Sequence, residues 1–216
     1  MQYEQSTILQ RELLPNLKTQ GVEICTIAAL SDTEREAMAE FFRREVFPVL
    51  TPQAIDHARR FPHISTDSIS LIVLLRSNGA DKLARIKVPK VLPRLVGVPQ
   101  KEGEDQPIRF VWLEDLISAN LHELFPGHQA IEAYPFHVTR DSDIEIDDDE
   151  DAHDLLATMR ELLSERTFGS VVRVMVDTRM PQSVVNWLLA QLSATERELY
   201  VTDGPLALED MMELLR

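Results

Sequence analysis

The 216-residue sequence predicts an α+β fold: a mixed β-sheet with helices mainly on one side, preceded by an N-terminal helical segment. Three observations lead there. Ile69, Leu71, Ile72, Val73, Leu74 and Leu75 form an unbroken apolar run of strand formers, which suits a central strand covered on both faces. Before it, Ser31 and Glu34 have capping-box spacing, and Met38, Phe41, Phe42 and Val46 recur at helical intervals until Pro48 ends the run. After it, several strand-like segments follow, with helices inserted between the later ones.

From the N-terminus, residues 5–19 place Leu9, Leu13 and Leu17 at successive i+4 positions, an amphipathic helix bent or shortened at Pro15 and stopped by Gly21. One helix cannot bury its own apolar stripe, so it must dock on the rest of the chain or on a second copy. The loop from Val49 to Thr66 carries Pro52 and Pro62 and must be anchored by Val49, Leu50, Ile55, Phe61 and Ile64. Beyond the apolar strand, Ser77-Asn78-Gly79 marks a turn. Leu83 to Val88 then alternates apolar and basic residues, as a half-buried strand paired with its predecessor would.

Pro89, Pro93 and Pro99 punctuate a loop around Lys90 and Arg94, and Lys101 to Pro107 is a polar hairpin tip. Arg109 to Trp112 is expected as a short strand and Leu113 to Leu124 as one helix. A strand over Ala130 to Arg140 should meet an edge or a bulge at Pro135. Further elements are expected as a helix over Ala152 to Arg166, a strand over Val171 to Val176, a helix begun by Pro181, a strand over Leu199 to Val201, and a terminal helix over Leu208 to Leu215.

Composition narrows the function. A net charge of -14 argues against a nucleic-acid surface, which needs clustered Lys and Arg. The single cysteine, Cys25, excludes an intrachain disulfide and reads as a small buried hydrophobe. No stretch approaches the roughly 20 apolar residues of a membrane helix, and the N-terminus lacks a basic-then-apolar signal, so a cytoplasmic protein without a membrane span is expected.

Asp141, Asp143, Glu145 and Asp147 alternate like calcium-loop ligands, but Ile146 stands where that loop needs glycine and Ala152 where it needs a bidentate glutamate. Acidic residues at the start of the following helix are the simpler reading. No Gly-rich phosphate loop is present, with seven glycines in all. Six histidines remain: His57, His63, His122, His128, His137 and His153. His57 and His63 flank Arg59 and Arg60, a loop in which an anion site is conceivable. Zinc pairs from His57 with His63, or His122 with His128, lack further ligands at close spacing. Arg85, Lys87, Lys90 and Arg94 cluster near another loop and read as solvated charges or ion-pair partners.

Several motifs together carry a family resemblance. Glu45 to Ile55, EVFPVLTPQAI, resembles the E-V-F-P-V-L-T-P-L-A-V of large bacterial polyphosphate kinases. Ala133 to Asp147 resembles their A-H-P-F-R-V-T-R-D-A-D-L-E-I-D, Arg166 to Val174 their R-R-F-G-D-A-V-R-L, and Asp203 to Leu214 their D-G-P-L-D-L-x-D-L-M-x-L. Gln53, His57, Arg60, His63, Thr66 and Ser70 depart from the pattern. The resemblance implies a division into residues 1–30, the last helix of an incomplete N-terminal helical domain with its connection, and residues 31–216, the head or middle domain.

In this family the terminal phosphate of ATP moves onto polyphosphate through a phosphorylated histidine, with magnesium. The resemblance places that histidine, the magnesium ligands and most phosphate-binding arginines in two further C-terminal domains. No catalytic, cofactor or metal residue is therefore carried over, and ATP and Mg2+ belong to the parent enzyme. The chain is expected to be a non-catalytic module that helps wall the tunnel and contributes to a homodimer of the parent. Its partners are the remaining domains, and it meets ATP and polyphosphate only with them. Arg59, Arg60, His63 and Arg140 are its candidate anion or interdomain contacts. A stand-alone regulatory or polyphosphate-binding protein, or a minimal histidine phosphotransferase using His57 or His137, remain as alternatives.

Overall fold

The computed structural model describes residues 5, 7–55, 61–77, 80–100, 107–141 and 169–215. The Asn78-Gly79 turn, the hairpin tip, Arg59, Arg60, His57, His153, the acidic run beyond Asp141 and the helix expected over Ala152 to Arg166 lie outside them.

The strands are β1 (Val22–Ile24), β2 (Gln53–Ile55), β3 (Ser68–Ser77), β4 (Ala80–Lys87), β5 (Leu95–Gly97), β6 (Ile108–Trp112), β7 (Gln129–Arg140), β8 (Val171–Asp177) and β9 (Leu199–Thr202). The helices are α1 (Leu14–Thr19), α2 (Asp32–Phe41), α3 (Leu113–Ala119), α4 (Leu121–Leu124) and α5 (Gln182–Leu192). A six-stranded sheet has the order β2-β4-β3-β7-β8-β9, and a three-stranded sheet the order β1-β6-β5. Both are mixed, because β8 with β9 and β1 with β6 pair in parallel while the remaining pairs are antiparallel.

The apolar run is β3, which has β4 on one side and β7 on the other. Its alternate side chains feed two cores. Ile69, Leu71, Val73 and Leu75 join Ala84 and Ile86 under Met38, Phe42 and Val46 of the α2 region and Leu113, Leu116 and Ile117 of α3. Ile72 on the opposite face joins Tyr134, Phe136, Val138, Val174 and Val176 under Val184, Val185, Leu188, Leu189 and Leu192 of α5. Among the described residues, α2, α3 and α4 serve one face and α5 the other.

Local signals explain several element ends. Ser31 Oγ accepts from the Glu34 N–H while Glu34 Oε2 accepts from the Ser31 N–H, the reciprocal cap expected from the sequence. The segment beyond α2 continues as a π turn over Phe42–Val46, and Pro48 falls in the 3-10 turn that ends it. Gly21, just past α1, has a φ of 81°, a conformation that favours glycine.

Three expectations are corrected. The helix expected over Leu113 to Leu124 is two helices, because Asn120 closes the first by donating its N–H to Ile117 O and Nδ2 to Leu116 O. The terminal helix over Leu208–Leu215 is a 3-10 helix. At Pro135 neither an edge nor a bulge occurs: β7 is an interior strand, with irregularities opposite Leu74/Leu75 and at Thr139/Arg140. Val138 O accepts from Asp67 N near β3, and Asp141 N donates to Ser170 O near β8, so odd-numbered residues of β7 address β8. Pairing with β8 runs from Phe136 to Arg140, so the N–H that Pro135 lacks falls just past the paired stretch.

Candidate functional site

Two strand periodicities bring basic side chains to one end of the large sheet. Ser70 stands opposite Lys87 and Ile72 opposite Arg85, which puts Arg85, Lys87 and Ser70 on the α5 face. The segment from Phe61 to Thr66 covers that face: Ile64 is fully buried in its core, and Phe61 stacks edge-on against Trp187 of α5 at 5.3 Å. Beneath it Arg85 is 4% exposed. Its Nε and Nη2 donate to Ser70 Oγ at 3.2 and 3.1 Å, and its Nη1 to Gln53 Oε1 at 3.0 Å. Burial pushes its pKa down to about 10.

Lys87 is exposed and donates from Nζ to Ser65 Oγ at 3.0 Å. Arg140, at the end of β7, donates Nε to Ile64 O and Nη1 to Gly169 O, each at 2.8 Å, and its backbone N–H to Thr66 Oγ1 at 3.0 Å. It thus pins the loop from below. His63 lies within the field of this group: burial, then Arg140, Arg85 and Lys87, hold its pKa below the ordinary histidine value. Of the four candidate contacts, the structure therefore brings His63 and Arg140 together, while Arg59 and Arg60 lie outside the described residues. Arg85 was grouped in the sequence with solvated charges; its alternation with Leu83 and Ala84 gives no sign that a loop covers its side of the sheet.

The other basic residues of that sequence cluster part company with it. Arg94 turns into a buried network with Glu114 and Asp210, its guanidinium 4.6 Å above the Trp112 ring. Lys90 and Arg94 line a small cleft beside Glu209, Asp210 and Glu213.

On the opposite face, where β7 and β8 run beyond the cover of α2 and α3, a groove of about 630 Å³ is lined by His137, Thr139, Arg173, Met175 and Thr202 and by the apolar N-terminal segment. Leu9 is buried there, whereas Ile8 and Leu13 stay about half exposed, so the N-terminal stripe is only partly docked. His137 is 4% exposed, and neither ring nitrogen has a hydrogen-bond partner among the described residues. Burial is the main cause that holds its pKa low.

A third cleft, lined by Asp115, Asp177, Arg179 and Asp203, is acidic. Arg179 pairs there with Asp177 at 2.8 Å. Cys25 packs against the core and donates Sγ–H to Phe110 O at 3.5 Å, and burial raises its pKa, as fits a packing role. His122 and His128 are exposed, and among the described residues no three His, Cys, Asp or Glu side chains gather at metal-binding spacing.

Comparison with known proteins gives this architecture a family. The family described as polyphosphate kinase middle domain matches residues 33–214. The chain belongs to the polyphosphate kinase family. A polyphosphate kinase of Prosthecochloris aestuarii is 40% identical over 210 residues, covering 95% of this chain and 29% of that protein. One from Aphanizomenon baltica is 38% identical, covering 98% of this chain and 57% of its own length.

The crystal structure of polyphosphate kinase from Porphyromonas gingivalis superposes with a TM-score of 0.78 at 24% identity, covering 98% of this chain and 30% of that one. The α+β fold is thus that of a polyphosphate kinase segment. The chain spans from under a third to just over half the length of these relatives. Among the described residues, no helix is long and apolar enough to cross a membrane.

Proposed function

We propose that this chain serves as the head module of a polyphosphate kinase, with residues 31–216 forming the head and residues 1–30 the last helix and connection of a preceding helical domain. Its work is architectural: it holds the remaining domains in register, walls the passage in which ATP and polyphosphate meet, and adds to the contacts of a cytoplasmic homodimer. The match to the family's middle domain over residues 33–214 carries this reading. The partly exposed stripe of Ile8 and Leu13 supports it, since an apolar surface of that kind suits a neighbouring domain or subunit.

The described histidines give a phosphoryl-enzyme mechanism in this chain little support. A histidine nucleophile needs access to the phosphoryl group and a partner orienting its second ring nitrogen. His137 is buried and has no such partner among the described residues, and His63 stands in a loop on the opposite face. Incubation of the 216-residue chain with γ-labelled ATP, magnesium and polyphosphate tests the reading. No label is expected in protein or polymer until the other family domains are supplied in trans, when polymer labelling appears. Acid-labile label on the chain alone would overturn it.

A further inference from the structure

Arg85 combines two properties that rarely coexist. It is 4% exposed, yet both of its partners, Ser70 Oγ and Gln53 Oε1, are neutral, and no carboxylate pairs with it among the described residues. A guanidinium has five N–H groups, and the three bonds formed leave two without an acceptor among these residues. A buried charge is normally matched by an opposite one, because neutral dipoles recover only part of its lost hydration. Here the neighbours add charge of the same sign. Lys87 reaches the same face and is held by the neutral Ser65 Oγ, and Arg140 lies under the same loop. His63 adds a ring whose pKa burial and then these three cations hold below the ordinary histidine value.

We infer that the end of the large sheet around Arg85 and Lys87, roofed by Phe61 to Thr66, binds a phosphoanhydride chain. This rests on the proposed family role but assigns the anion to residues of this chain. Two positions apart on a strand, Arg85 and Lys87 are rooted roughly 7 Å from each other. That separation suits an anion whose charge is spread over successive phosphoryl groups better than a single carboxylate. Lys87 and His63 are exposed to solvent, and the buried Arg85 supplies the fixed charge beside them. Ser65 and Ser70 orient the two cations and are positioning residues.

Titration calorimetry on the 216-residue chain, with tripolyphosphate, magnesium-ATP and orthophosphate as probes, tests the assignment. Tripolyphosphate is expected to bind at least tenfold tighter than orthophosphate and to weaken steeply with salt. Lys87→Gln, at an exposed position, should weaken it about three- to tenfold and Arg85→Gln more, with circular dichroism confirming that each variant is folded. Arg85→Lys, which keeps the charge, should recover part of the loss. Magnesium-ATP competing with tripolyphosphate would identify a site for phosphate chains from either source; tripolyphosphate binding alone would restrict it to the polymer. Absence of binding to the wild-type chain, or equal binding by folded Lys87→Gln, would overturn the inference. Polymer synthesis with the other domains in trans is read separately. If it appears while Lys87→Gln leaves the KM for polyphosphate unchanged, the family role stands and this site falls.

Discussion

Arg94 Nη2 lies 2.6 Å from Glu114 Oε1, and the two side chains are 5% and 6% exposed. The pair joins three parts of the chain: the loop before β5, the first turn of α3, and the C-terminal stretch, where Ala207 O, just before the 3-10 segment, and Asp210 Oδ2 within it accept from Arg94 Nη1 at 2.8 and 3.0 Å. Glu213 Oε2 adds bonds from the Arg94 and Leu95 N–H groups. Removing Glu114 leaves the buried Arg94 charge with Asp210, which is more exposed, as its one remaining carboxylate of these two. Glu114→Gln is therefore expected to destabilise the chain by about 3 kcal/mol, and to lower Tm by roughly 6–12 °C for a chain of this size. Arg94→Met combined with Glu114→Leu should lose less than the two single variants added together. Urea unfolding of the set measures this, and additive losses would contradict it.

Asp115, next in the chain, has its pKa raised to about 6, first by burial and then by Glu114, with Arg179 pulling the other way. The folded chain therefore holds this proton more tightly than the unfolded chain, whose carboxyl titrates near 3.8. The resulting stabilisation is complete below about pH 4 and is lost as pH rises through 6. Above that, Asp115 carries a half-buried charge that works against folding. Asp115→Asn is expected to match wild type near pH 4 and to exceed it by about 1–3 kcal/mol at pH 7. A pH series of denaturant melts reads the difference, and parallel curves for the two proteins would refute the assignment.

His137 has the opposite sign. Its pKa is held below the ordinary 6.5, mainly by burial and to a lesser degree by Arg173, Arg94 and Lys90, with Asp67 opposing. Stability should be intact at neutral pH and fall as pH drops below 6.5, because the unfolded chain takes up the proton first. His137→Phe removes two polar atoms that have no partner among the described residues and removes the titration with them. It is expected to be as stable as wild type or up to about 2 kcal/mol more stable at pH 7, and to lose less between pH 6.5 and 5. Equal acid sensitivity in both proteins would sink the argument.

The legibility of the fold followed the strength of local signals. Ser31 and Glu34 marked a helix start because a cap is a four-residue event. The run from Ile69 to Leu75 announced a central strand because both of its faces are buried. What stayed hidden depends on distant partners. Nothing near Val22 or Ile108 says that they pair in a second sheet. Pro135 looked like an interruption because its harmlessness depends on where pairing with β8 stops. Arg85 looked solvated because apolar-basic alternation reports which side of a strand a residue takes, not whether a loop closes over it. Of the candidate contacts, His63 and Arg140 were singled out through family motifs and loop chemistry, and only the fold reveals that the Arg140 side chain bonds the loop carrying His63.

That role of Arg140 has its own consequence. Its guanidinium bonds to Ile64 O and Gly169 O fasten the roof loop to the segment leading into β8, and its backbone N–H holds Thr66. Arg140→Met keeps the backbone bond and much of the side-chain volume but deletes both charge-assisted bonds. With Arg140 only partly buried, a global loss of about 1–2 kcal/mol is expected, because solvent screens part of each bond. The local effect should be larger. Amide hydrogen exchange across residues 61–66 should quicken at least tenfold, while the β3–β4 ladder, which none of these three bonds reaches, keeps the protection set by global unfolding. Equal acceleration in both segments would mean that Arg140 stabilises the whole sheet and does not specifically fasten its roof. Unchanged exchange in the loop would mean that Ile64 and Phe61 hold it by packing alone.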